Sequence, residues 1–131
     1  MALIVHEDTQ IIKIGCLGDH KVVVFYGPDE IKFLAKENDT DLRELEECYL
    51  EHNGFVDNLM GPNGVYTAVG LNNMTLRVVI HESVHAAHCV MDCRGIPISM
   101  ENTEIEAYLV DYIANSITNH LERRRHDDKI N

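Results

Sequence analysis

The sequence predicts an α+β fold: a small N-terminal sheet, built on a β-hairpin, packed on helices that fill the second half of the chain. Three observations carry this. Runs rich in β-branched and aromatic residues come early, at Ile11 to Leu17 and Val22 to Tyr26. A strong turn, Gly61-Pro62-Asn63-Gly64, introduces one more short strand. Two long stretches with helical periodicity then follow, so β-rich sequence precedes helical sequence rather than alternating with it. At 131 residues the chain fits a single domain, residues 1–131, and any active site must lie between its own few elements.

The two early runs flank Gly18-Asp19-His20-Lys21, which makes a hairpin the natural reading, and Gly27-Pro28 ends it. Asp29 to Lys36 fits either a short helix or a third strand, because periodicity over so few residues does not separate them. From Asp41 to His52 the spacing predicts a helix, with Leu42, Leu45, Cys48 and Tyr49 on one side, Glu44, Glu47 and Glu51 on the other, and Asn53-Gly54 as the stop. Val65 to Val69 is the strand after the turn. Asn72 or Asn73 can cap a long helix that runs to about Cys93 and is closed by Gly95 and Pro97. A last helix begins near Ser99 or Thr103 and continues to about Arg124.

An apolar fraction of 45% and a charged fraction of 25% are those of an ordinary globular protein. No apolar run reaches membrane-spanning length and the first residues do not resemble a signal peptide, so a cytoplasmic location is expected. A formal charge of −11 argues against nucleic acid and anionic membranes as partners. Arg123 to Arg125 is the only basic cluster, and with His126, Asp127 and Asp128 behind it, it reads as a fraying helix end. Cys16, Cys48, Cys89 and Cys93 form no CxxC pair, and reduced thiols are expected.

The chemistry concentrates in His81-Glu82-Ser83-Val84-His85, an HExxH pattern in the middle of the long helix. Residues four apart lie on one helix face about 6 Å apart along the axis, so two imidazoles can converge on one ion. Glu82, about 100° further round, reaches a water at that ion without being a ligand and is the candidate catalytic base. With eight histidines, chance alone gives such a pattern in roughly 4% of chains of this composition. The surroundings reinforce it: Leu76, Val79, Ile80, Val84, Ala87, Val90 and Met91 form an apolar arc, and His81, His85, His88 and Asp92 lie opposite.

A catalytic zinc needs a third protein ligand beside His81 and His85. His88 lies about 10 Å along the axis from His81, too far to share one ion on a straight helix, and is left to support the ligands, to contact substrate or simply to face solvent. Carboxylates of the last helix are better candidates, in the order Glu104, Glu106, Glu101. Glu104 lies on a polar strip with Tyr108, Asp111 and Asn115, and Ala107 three residues on would let the helices approach. Glu106 has other employment, since Thr103 to Glu106 spells a capping box.

The apolar HExxH-Ala helix, the turn at Gly95, and the helix carrying Glu104-x-Glu106-Ala107-Tyr108 resemble the gluzincin branch of zinc metallopeptidases, in particular its minimal members and the small HExxH domains of phages and bacteria. The likeness covers about Val65 to Ile117. It implies a single zincin-like domain that hydrolyses peptide bonds of a peptide or protein substrate, with zinc on His81, His85 and Glu104 and with Glu82 as general base. It also implies that Val65 to Val69 forms the rim along which an extended peptide pairs. Where gluzincins place an acidic residue four after the ligand glutamate, this chain has Tyr108, with Asp111 or Asn115 as substitutes. Tyr66, His88, Tyr108, Tyr112 and His120 are the candidate donors to a developing oxyanion. The rival expectations are a binding or inhibitor protein that holds zinc without turnover, and a purely structural domain in which the motif is fortuitous.

Overall fold

The computed structural model describes residues 3–37 and 53–130 of the chain, with side chains as far as 127. The helix expected from Asp41 to His52 lies outside the described residues. The α+β expectation holds. In chain order the elements are β1 (Gln10–Ile14), β2 (His20–Tyr26), α1 (Pro28–Glu37), β3 (Gly54–Gly61), β4 (Gly64–Leu71), α2 (Leu76–Cys93) and α3 (Thr103–Ile130). Short 3-10 turns occupy Gly15–Leu17 and Met100–Asn102.

The strands form one mixed sheet in the order β1-β2-β4-β3. β1 and β2 are the expected hairpin, with Ile14 opposite His20 and the reversal completed by Gly18 and Asp19 at φ 64° and 58°. α1 resolves the ambiguity at Asp29 to Lys36 in favour of a helix, and it leads out of β2 toward the next pair of strands. That crossover lets β4 pair parallel to β2, with Val24 opposite Val69. β3 pairs antiparallel to β4 through the turn at Pro62 and Asn63, where Gly64 takes φ 112°. β3 was not legible as a strand. Asp57 and Asn58 interrupt its apolar residues, and glycines stand at both its ends.

Alternation along the strands divides the core into two layers. Val22, Val24, Tyr26, Val69 and Leu71 face α2 and α3, where Val79, Ala87, Val90, Met91, Leu109, Ile113 and Ile117 close the larger cluster. Val23, Phe25 and Ala68 face the other way and pack with Ile31 and Leu34 of α1. The sheet is therefore covered on both faces.

Local chemistry sets the ends of α2. Asn73 Oδ1 accepts the Thr75 N–H, and Thr75, rather than an asparagine, is the N-cap, its Oγ1 accepting the Val78 N–H at 3.4 Å. At the other end Gly95 adopts φ 69°. Its N–H bonds to Asp92 O at 3.1 Å and the Ile96 N–H to Met91 O at 2.8 Å, a Schellman closure in which Ile96 also packs on the core beside Met91.

α3 departs from expectation in two ways. It continues through Arg123–Arg125 to Ile130, and Arg124 lies over the Tyr26 ring at 5.1 Å with its Nη1 4.0 Å from the buried Glu30 carboxylate, so this stretch is anchored rather than fraying. The capping box does not form. A 3-10 turn runs straight into α3, Thr103 Oγ1 donates to Met100 O, and Glu106 bonds elsewhere.

Candidate metal centre and its cleft

A chain of hydrogen bonds locks α2 in place beneath the sheet. Arg94 Nε donates to His20 Nδ1 at 3.2 Å, so in this network His20 carries its proton on Nε2 and donates to Thr67 Oγ1 at 2.8 Å. Thr67 Oγ1 donates to Asn58 Oδ1 at 2.7 Å, and Asn58 Nδ2 donates to Cys89 O on α2 at 2.9 Å. Burial, and then the Arg94 charge, hold the His20 pKa below its ordinary value, which favours the neutral ring this chain requires. None of these residues stood out in the sequence, because the network joins four separate elements.

α2 so placed exposes His81 and His85 and buries Glu82. The two Nε2 atoms stand 3.2 Å apart, with ring centroids at 4.8 Å. Two nitrogens each about 2.05 Å from one tetrahedral ion would be about 3.3 Å apart. The spacing thus fits a shared cation, and without one it fits a single N–H···N hydrogen bond. Glu82 is 6% exposed, and its Oε1 lies 3.9 Å from His81 Nε2. No hydrogen bond to its carboxylate forms among the described residues.

Glu82 reaches this position because β3 offers no side chain there. A Cβ on Gly54 would stand 2.9 Å from Glu82 Cγ and 2.9 Å from Gly70 O. Between β3 and α2 opens a cleft of about 860 Å³, bordered by Gly54, Val56, Arg77, His81, Glu82 and His85 among others. Its strand wall is β3, not Val65 to Val69. β4 lies between β2 and β3 and spends its backbone groups on both, so the expected rim strand is interior and β3 is the edge strand among the described residues.

The apolar arc of α2 also sits differently. Leu76 and Ile80 are 63% and 47% exposed, while Val78, Glu82, Ser83 and Ala86 are buried, because the sheet meets α2 on the Val78–Glu82 side.

The structure does not bring Glu104 to the histidines. Counting about 100° per residue, Glu104 lies about 140° round α3 from the buried Leu109 and Glu106 only about 60° from it. Accordingly Glu104, Ala107, Tyr108, Asp111 and Asn115 are exposed, so the polar strip faces solvent and Ala107 is not a close-approach point. Tyr108 stacks on Tyr112 at 5.8 Å. Glu106 is the carboxylate turned to α2, its Oε1 3.0 Å from His88 Nε2, and Glu101 is exposed in the preceding turn. Among the described residues no group of three or more His, Cys, Asp or Glu side chains is gathered to hold a metal ion.

Of the candidate oxyanion donors, Tyr66 and His120 are remote from the cleft. Tyr66 is enclosed on the α1 side of the sheet, where burial pushes its hydroxyl up to about 12, and His120 stacks on Tyr26 at 4.9 Å. No family model, curated protein or solved structure matches the chain.

Proposed function

We propose that the protein is a zinc-dependent peptide hydrolase whose metal is held by His81 and His85 and whose general base is Glu82. The observation that carries this reading is the convergence of the two imidazoles, 3.2 Å apart, beside a buried carboxylate that makes no hydrogen bond among the described residues. The carboxylate borders the same cleft as the imidazole pair, so a cation held by the two rings would face it. Glu106 is the carboxylate best turned toward α2 to complete the ligand set, ahead of Glu104, once it leaves His88.

Zinc in such a site supplies Lewis-acid polarisation of a carbonyl and lowers the pKa of water. The remaining work falls to the chain. Glu82 Oε1 accepts a proton from the attacking water and passes it to the leaving amine. An extended peptide would align along β3, the edge strand among the described residues. Gly54, with no side chain, leaves the room that carboxylate occupies.

Zinc content by mass spectrometry, joined to a quenched-peptide library, tests the reading. Wild type is expected to carry zinc and cleave, and Glu82→Gln to keep the metal while losing on the order of a hundredfold to ten-thousandfold in rate. A Glu82→Gln chain that loses its zinc sinks the assignment of base. One observation favours a second reading, a metal-bearing binding or inhibitor protein: the described residues gather no third ligand. Zinc in both chains with no cleavage by either would select it.

A further inference from the structure

The cleft holds a cation that the hydrolytic chemistry does not use. Arg77 lies one helical turn, about 6 Å, before His81 on the same face of α2 and borders the same cleft. It forms no ion pair or hydrogen bond among the described residues. Around it, Asn73 and Thr75 also line the cleft, and the first turn of α2 contains no acidic side chain. Arg77 itself lies in that first turn, beside the opening amides of the helix and the positive end of its dipole. The enclosed Glu82 borders the same cleft, and among the described residues its carboxylate pairs with His81 Nε2 alone, at 3.9 Å.

We infer that the cleft takes peptides carrying a carboxylate one or two residues from the cleaved bond, with that carboxylate held by Arg77. The inference rests on the reading of this cleft as a peptide-hydrolysing site. The distance supports it: an extended peptide advances about 3.3 Å per residue, so a group on Arg77 is one to two residues from a carbonyl at His81 and His85. Charge supports it too. With a net charge of −11 the protein as a whole repels anions, so a preference for carboxylates has to arise from a local cation, and among the described residues Arg77 is the one that lines the cleft. Arginine also binds a carboxylate through two parallel N–H donors, which orients the peptide as well as attracting it. Either a free C-terminus or an acidic side chain supplies this chemistry.

The test measures binding apart from turnover, by calorimetric titration of the full chain, with and without added zinc. Three probes are used: acetyl-trialanine with a free carboxylate, its C-terminal amide, and acetyl-Ala-Glu-Ala amide. At least one carboxylate probe is expected to bind about tenfold to a hundredfold more tightly than the amide, and which one tells a free C-terminus from an acidic side chain. Arg77→Gln, at an exposed position, is expected to abolish the difference and leave amide binding unchanged, with Arg77→Lys restoring part of it. Equal affinity for all three probes, or a preference that survives in Arg77→Gln, overturns the inference. If the preference is absent while zinc- and Glu82-dependent cleavage persists, only this inference falls. Should the Arg77-dependent preference be present while neither zinc nor cleavage is found, the hydrolase reading falls and the carboxylate site stands.

Discussion

Gly54→Ala is the sharpest probe of how the cleft is built. The new methyl carbon would sit 2.9 Å from Glu82 Cγ, 3.1 Å from Glu82 Cδ and 2.9 Å from Gly70 O. The glutamate can swing aside, but the carbonyl belongs to the interior strand β4 and has little room to yield. Overpacking of this kind costs about 1–3 kcal/mol, which for a domain of this size lowers Tm by about 3–12 °C. The more telling effect is on Glu82, since displacing a reacting group by about 1 Å costs on the order of a hundredfold in rate. Gly64→Ala is the control. Its φ of 112° strains any side chain, yet nothing lies within 4 Å of the added carbon and the turn does not border the cleft. The assay pairs thermal melts with peptide hydrolysis for both variants. Gly64→Ala is expected to lose stability alone and Gly54→Ala to lose both. A Gly54→Ala protein with wild-type Tm and wild-type turnover would refute the reasoning.

His81→Ala and His85→Ala are each expected to abolish tight zinc binding, and a wild-type isotherm for either would remove that residue from the ligand set. Between the carboxylates, Glu106→Ala is expected to weaken zinc binding more than Glu104→Ala, as only Glu106 is turned to α2; the opposite ranking hands the role to Glu104. His120 makes stability pH-dependent. Burial, and then Arg124 and Arg123, hold its pKa below 6.5 in the folded chain, against a smaller opposing pull from Asp8. The unfolded chain therefore binds the proton first, and the contribution is complete above about pH 6.5 and is lost as pH falls from there through the folded value. Glu30 works with the opposite sign, since burial raises its pKa, but that contribution is common to both proteins when wild type is compared with His120→Gln. Urea midpoints between pH 5 and 7.5 should fall less steeply in the variant; parallel curves would exclude His120 as the cause.

What the sequence disclosed divides according to the range of the interaction. The β1-β2 hairpin, the turn at Pro62 and Asn63, and the Gly95 closure of α2 all follow from residues within a few positions of one another, and all were legible. So was the convergence of His81 and His85, because helical spacing alone brings it about. Tertiary choices were not. The exposure of Leu76 and Ile80 depends on which side of α2 meets the sheet, and a helical wheel cannot say whether an apolar arc is the one that is covered. By its place before the HExxH helix β4 reads as the cleft rim, but the crossover after β2 places it inside the sheet and hands the rim to β3. The polar residues around Glu104 suggest a site on a helical wheel, yet they mark the solvent side of α3. The Thr103 to Glu106 capping box that the sequence spells is displaced by the incoming 3-10 turn, which frees Glu106 to face α2.

The placement of the candidate centre bears on what a metal would do for the fold. Small zinc domains often cannot fold without their ion, because the ligands replace a core that the chain is too short to build. Here both faces of the sheet close over apolar clusters that contain neither His81 nor His85, and α2 is fixed by Thr75 at one end, by Gly95 and Ile96 at the other, and by Asn58 on Cys89 O between them. The histidines stand on a finished scaffold. Zinc at a hundredfold excess over its Kd would then add about 2.7 kcal/mol by mass action, without being required for folding. Chelation is accordingly expected to leave the far-ultraviolet circular dichroism spectrum unchanged and to lower Tm by about ten degrees or less. Loss of helical signal on chelation, recovered when zinc is restored, would instead show that the ion holds the structure together.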